Sequence, residues 1–114
     1  MISMDLIEKR CVPCEGGVKP FTKIEAEKYL KRVDSWKLSG KKITKQLVFK
    51  DFTTLIKFIN KLASLAENEG HHPDFTVHYR KLDLEIWTHA INGLSENDFI
   101  LAAKIDKLYK TFKD

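Results

Sequence analysis

Only two cysteines, three prolines and five glycines punctuate the 114 residues. The cysteines form Cys11-Val12-Pro13-Cys14, which is half of a zinc site, and no second pair is present to complete it. A dithiol redox motif belongs on a strand-to-helix turn, whereas this one runs into Glu15-Gly16-Gly17, a loop, so it reads as a terminal turn. No apolar run approaches the ~20 residues that span a bilayer, and no membrane partner is expected. The first residues, Met1-Ile2-Ser3-Met4-Asp5-Leu6, lack the basic region, apolar stretch and small-residue cleavage site of a secretion signal, so the cytoplasm is the expected location. Clustered basic residues are missing too. The net charge is +4, but the lysines lie among acids, as in Lys23/Glu25/Glu27/Lys28 and Lys104/Asp106/Lys107. That is a solvated surface and not a nucleic-acid footprint.

What is present suits one ordinary globular domain. The hydrophobic fraction is 43%, and a chain of this length buries roughly two-thirds of its unfolded surface. Residues 1–20 read as an irregular arm over the surface with one short helical turn, and residues 21–114 as the domain. Thr22-Lys23-Ile24-Glu25 is a capping box, in which a hydroxyl and a carboxylate satisfy two orphan N–H groups. It predicts a helix to about Arg32 that buries Ile24, Tyr29, Leu30 and Val33. Trp36-Lys37-Leu38, the turn Ser39-Gly40, and Ile43/Lys45/Leu47/Phe49 on one parity predict a hairpin. Lys45 on the core parity is tolerable at a sheet edge. Asp51 is a suitable N-cap for a long helix. Its stripe is Phe52, Leu55, Ile56, Ile59, Leu62, Ala63 and Ala66, broadened by Phe58 and Leu65.

Phe75–Tyr79 and Leu82–Trp87 alternate and meet at Arg80-Lys81, which predicts a two-residue hairpin loop. In that register Tyr79 opposes Leu82, Val77 opposes Leu84 and Phe75 opposes Ile86, all on the core face. His72 then falls opposite His89, and His78 opposite Asp83. After a loop at 90–94, Ser95-Glu96-Asn97-Asp98 is a second capping box. The helix after it carries Leu101, Ile105, Leu108 and Phe112, with Ile100 and Ala103 beside them. The expected fold is α+β, two-layer: a four-stranded antiparallel sheet with three helices on one face, in the order α-β-β-α-β-β-α.

The chemistry concentrates in Glu67-Asn68-Glu69-Gly70-His71-His72-Pro73 and Thr88-His89, which hold three of the four histidines. Gly70 ends the long helix, because glycine alone takes the left-handed cap without steric cost. Pro73 cannot continue a helix and biases His72 towards an extended conformation. His71 and His72 thus stand at a helix-to-strand junction, and imidazoles exchange protons near neutral pH, at an ordinary pKa of about 6.5. Glu67, one turn before His71, can orient an imidazole. The residues alone leave three readings open: acid–base catalysis, a three-ligand metal site, and histidines that only cap a helix and fill a rim. Against the metal, neighbours in an extended segment point apart and rarely share one ion.

Trp36, Phe49-Lys50-Asp51-Phe52, Glu67 with His71-His72-Pro73, Tyr79, Thr88-His89, and Gly93-Leu94-Ser95 with Asp98 together resemble the pterin-4a-carbinolamine dehydratases. The likeness covers nearly all of the chain from Trp36 onward, and the Cys-x-x-Cys arm resembles microbial members. It implies removal of water from a 4a-hydroxytetrahydropterin to give the quinonoid dihydropterin, without metal or organic cofactor. By position it implies His71, His72 and His89 as the catalytic cluster, tuned by Glu67. Trp36 would wall the pterin ring, and the backbone around Trp87-Thr88 would hydrogen-bond it. It also implies a homodimer or homotetramer. Relatives that serve as a transcription-factor dimerisation cofactor or resemble Rubisco assembly chaperones keep a non-catalytic binding role open as the alternative. Gly70 stands where some members carry an acid, and Asn97 where some carry arginine.

Overall fold

The computed structural model describes residues 6–12 and 19–113. The chain forms α1 (Lys23–Leu30), β1 (Lys37–Ser39), β2 (Lys42–Val48), α2 (Phe52–Glu69), β3 (Asp74–His78), β4 (Lys81–Ile86), a 3₁₀ turn (His89–Ile91) and α3 (Glu96–Lys110). All strand pairs are antiparallel, in the order β1-β2-β4-β3. This is the α+β succession that the sequence predicts.

Each helix starts where its cap residue says. The Thr22 hydroxyl accepts the Glu25 N–H while the Glu25 carboxylate takes the Thr22 N–H. Asp51 accepts the Thr54 N–H at 2.8 Å, and the Asp98 carboxylate accepts the Ser95 N–H at 2.8 Å. Gly70 ends α2 at φ +66°. Gly93 meets a different demand: a Cβ there would stand 2.5 Å from the Pro20 Cβ. That contact accompanies the 2.7 Å bond from the Phe21 N–H to the Leu94 carbonyl, which ties the entry of α1 to the loop before α3.

Inward faces follow the alternation. Ile43, Leu47 and Phe49 pack with Leu82, Leu84 and Ile86 against the helices. On α2 the buried line is Leu55, Phe58, Leu62 and Ala66. Phe52 and Ile56 lie outside it, 47% and 38% exposed. The broad stripe is therefore two stripes, and only one meets the core. On α1 the expectation for Ile24 fails: it is 67% exposed, and Ala26 is the buried residue. A short helix packed through a small side chain can lie close to its neighbours, and its opposite face is then left in water. Leu6, in the N-terminal segment, is fully buried in the core.

Two sheet predictions need correction. Observed pairs are His78↔Lys81, Val77↔Leu82 and Phe75↔Leu84, so the register of the second hairpin is displaced by two residues. The turn falls on Tyr79-Arg80, with Tyr79 at φ +57°. A displacement of two preserves which face each side chain takes, so His78 still reaches Asp83 diagonally at 3.5 Å. Tyr79, however, sits in the turn and is 70% exposed, and Phe75 and Val77, expected in the core, are also exposed on the edge strand β3. The second correction concerns Lys45. Its strand β2 lies between two others and is no edge. The Lys45 side chain is largely covered because it has a partner, the Asp106 carboxylate at 2.8 Å. Asp106 also accepts the Trp36 indole N–H and the Asp34 N–H, each at 2.9 Å. Burial pushes the Asp106 carboxyl above its ordinary range, against the pull of these donors.

Candidate active site

At the C-terminus of α2 the left-handed Gly70 turns the chain while its N–H and that of His71 still bond to the last helical carbonyls. His71 and His72 therefore leave from a fixed point. At the end of β4, Thr88 and Gly93 bond to each other through both backbone N–H groups, at 2.8 and 3.3 Å. This clasp closes the 3₁₀ turn and presents His89. The two junctions face one cavity of about 340 Å³, lined by His71, His72, His89, Asp74, Trp87, Thr88, Val12, Gly70, Ala90 and Asn97.

Every histidine in the chain is matched to its own carboxylate, and burial separates the pairs. His71 Nε2 lies 2.7 Å from Asp98 Oδ1, with side chains 13% and 0% exposed. Asp98 Oδ2 accepts the Thr88 hydroxyl at 2.9 Å as well as the Ser95 N–H. An ionised carboxylate only accepts, so Nε2 carries the proton, and in the neutral ring the lone pair is then at Nδ1. His72 Nε2 meets Glu67 Oε2 at 2.5 Å, and His89 Nε2 stands 3.8 Å from Asp74 Oδ2, all four side chains being exposed. Exposed ion pairs contribute about 0–1 kcal/mol and are screened by salt. The His71–Asp98 pair, shielded from water, is the one with strong electrostatic leverage. His89 stacks on Trp87 with ring centroids 4.0 Å apart, and the indole N–H donates to Asp74 at 3.3 Å. A flat aromatic wall thus borders the imidazoles.

The structure brings His71, His72, His89, Trp87 and Thr88 together. Glu67 reaches the site through His72, not through His71 as the helical spacing suggested. Trp36 is corrected outright: it is buried in the core against Asp106 and does not line the cavity. The Thr88 N–H is also committed, to the Gly93 carbonyl, and is not free for a ligand. Sequence reasoning missed Asp98 as a histidine partner, because its capping role already accounted for it. It also missed Asp74, Asn97 and Val12. For Asp74 the position directly after Pro73 was an available signal. Cys14 lies outside the described residues. Burial, aided by the Glu69 carboxylate, pushes the Cys11 thiol up to about 12, so it stays protonated at neutral pH. Among the described residues no group of three His, Cys, Asp or Glu side chains is placed to share a metal ion, and no helix is long and apolar enough to cross a membrane.

A small α+β domain with a histidine-lined cavity between a helix end and a hairpin is thus defined. Residues 19–108 match the family model for pterin 4 alpha carbinolamine dehydratase. A protein of Nitrosospira multiformis is 46% identical over 106 residues, covering 93% of this chain and 94% of its own. One of Rickettsia bellii is 49% identical over 109 residues, covering 94% and 96%. Both are named provisionally for that dehydratase. A crystal structure described as a transcriptional coactivator/pterin dehydratase of Brucella melitensis superposes with a TM-score of 0.75 at 33% identity, over 79% of this chain and 98% of that one. A pterin dehydratase-like RuBisCO assembly factor of the alpha-carboxysome shares the fold, with a TM-score of 0.58 at 24% identity, over 66% of this chain and 89% of that one. The chain belongs to the pterin-4-alpha-carbinolamine dehydratase family.

Proposed function

We propose that the protein is a dehydratase that converts a 4a-hydroxytetrahydropterin to the quinonoid dihydropterin by histidine acid–base catalysis, in the recycling of oxidised pterin. The observation that carries this reading is the convergence of three imidazoles on one cavity, one of them backed by the buried Asp98. The reaction breaks the C4a–O bond. A proton from an imidazolium leaves with the hydroxyl as water, and a ring N–H gives its proton to a second imidazole while its electron pair forms the C=N bond. His71, with its tautomer set by Asp98, is suited to take the ring proton at Nδ1, and Asp98 accommodates the positive charge that forms. His89, exposed beside Asp74, would protonate the leaving hydroxyl. His72, held by Glu67, would orient it. Trp87 supplies a face for the heterocycle, and proton transfer of this kind contributes about 10²–10⁴-fold.

Stopped-flow dehydration of freshly generated 4a-hydroxytetrahydropterin tests this, with His71→Ala and His89→Ala and with chelator-treated protein. Acceleration by the wild type, lost by about 10²-fold or more in the variants and indifferent to chelator, is expected. A folded wild type without acceleration refutes the reading.

A binding or assembly role on the same scaffold, which also bears on oligomeric state, is favoured by one observation. Edge strand β3 is exposed along its length, and Phe75 and Val77 on it, with Phe52 and Ile56 on α2, present apolar surface to water. Unpaired edges and such residues are ordinarily covered by another chain. A homodimer or homotetramer is the simplest cover, and light scattering on a sizing column should show it at micromolar protein; a monomer there contradicts it. Co-elution with another protein in its place would favour the scaffold role.

A further inference from the structure

Residues 10–12 have neither helix nor strand structure, yet they are held by more directed polar contacts than their length explains. The Arg10 guanidinium donates to the Asn68 carbonyl at 2.9 Å. The Cys11 N–H donates to Glu69 Oε1 at 2.9 Å, and its thiol to the Asn97 carbonyl at 3.5 Å. At Val12 the Asn97 side chain imitates a neighbouring strand: its Oδ1 accepts the Val12 N–H at 3.0 Å, and its amide donates to the Val12 carbonyl at 2.6 Å. Asn97 and Glu69 are only 5% and 7% exposed. Two buried polar side chains, from α2 and α3, thus converge on a short irregular segment. Anchoring the N-terminal segment does not require them, since Leu6 is already fully buried in the core.

What the contacts achieve is the placement of one apolar group. Val12 lines the histidine cavity and is nonetheless 64% exposed. A valine held into water at the mouth of a cavity gains burial only when something apolar fills that space. The Trp87 ring, a flat aromatic surface, lines the same cavity. We infer that residues 10–12 form the outer wall of the ligand site, with Val12 packing on a planar heterocycle and Asn97 as the positioning residue that holds it there. The identity of that heterocycle as a pterin rests on the dehydratase reading above.

The test uses the full chain with Val12→Gly, Val12→Leu and Asn97→Ala. The readouts are KM and kcat for dehydration, Kd for 7,8-dihydropterin by fluorescence titration, and the thermal midpoint. Val12→Gly should raise both KM and Kd about tenfold, the effect of losing a few apolar groups from a pocket, with kcat within about threefold and the thermal midpoint unchanged. Val12→Leu should restore both constants. Asn97→Ala should move KM and Kd the same way with a lower midpoint. Wild-type KM and Kd in Val12→Gly, or a fall in kcat alone, overturns the wall while leaving the dehydratase reading intact. Wild type that binds dihydropterin without turnover refutes the dehydratase reading instead, and weaker binding by Val12→Gly then still supports the wall. If wild type neither binds nor turns over, both fall.

Discussion

Asp98 takes the Ser95 N–H and the Thr88 hydroxyl on Oδ2, which leaves Oδ1 for His71. That division makes one substitution informative. In Asp98→Asn the amide oxygen would stay at the cap, where two donors face it, and the NH₂ would then point at His71 Nε2. An NH₂ can only donate, so the imidazole would adopt the opposite tautomer and lose its lone pair at Nδ1. We expect a folded protein with kcat lowered by about 10²–10⁴-fold, measured by stopped-flow beside a thermal melt. A variant with wild-type kcat would show that Asp98 serves the fold alone.

At the scale of the element, the C-terminus of α2 decides where two of the three imidazoles go. Gly70 sits at φ +66° with nothing within 4 Å of where a Cβ would be. The cost of Gly70→Ala is therefore conformational and not steric, about 1–2 kcal/mol for a left-handed alanine. Urea melts should show that loss, and activity should fall with it, because relaxing the cap re-aims His71 and His72. The second hairpin shows how local rules partly succeed. Alternation placed Phe75, Val77, Leu82, Leu84 and Ile86 on one parity, and that parity holds, but burial follows only on β4, since Phe75 and Val77 stay exposed on the edge strand. Register depends on which two residues turn, and Tyr79, without a glycine or asparagine to mark it, gave no such signal.

Across the whole molecule, buried carboxylates pull stability in opposite directions with pH. Burial raises the Glu69 carboxyl, but the Lys104 ammonium at 2.6 Å and the Cys11 N–H outweigh it and hold it below its ordinary 4.5. Its contribution is therefore complete above pH 4.5 and lost as pH falls through the folded value. Asp106, with its carboxyl raised by burial, has the reverse sign: its ionisation opposes folding, and acid relieves it. Glu69→Gln should be less stable than wild type by about 1–3 kcal/mol near neutrality, since it weakens the hold on Lys104. Denaturant melts should show this difference shrinking well below pH 4.5. A difference independent of pH would mean that Glu69 acts by packing and not by charge.

The sequence by itself determined the order of elements, their starts at Thr22, Asp51 and Ser95, the turn at Gly70, and the placing of His71 and His72 at a helix-to-strand junction. These follow from hydrogen-bonding and steric rules that act within about four residues, so a short window of sequence contains them. Tertiary structure alone decided that His71 meets Asp98, 27 residues away, that Trp36 is buried against Asp106, and that Asn97 fixes Val12 at the cavity's mouth. Those contacts depend on how α3 lies across the sheet and against the end of α2. That packing is set by the shape of the whole core, which no local pattern encodes.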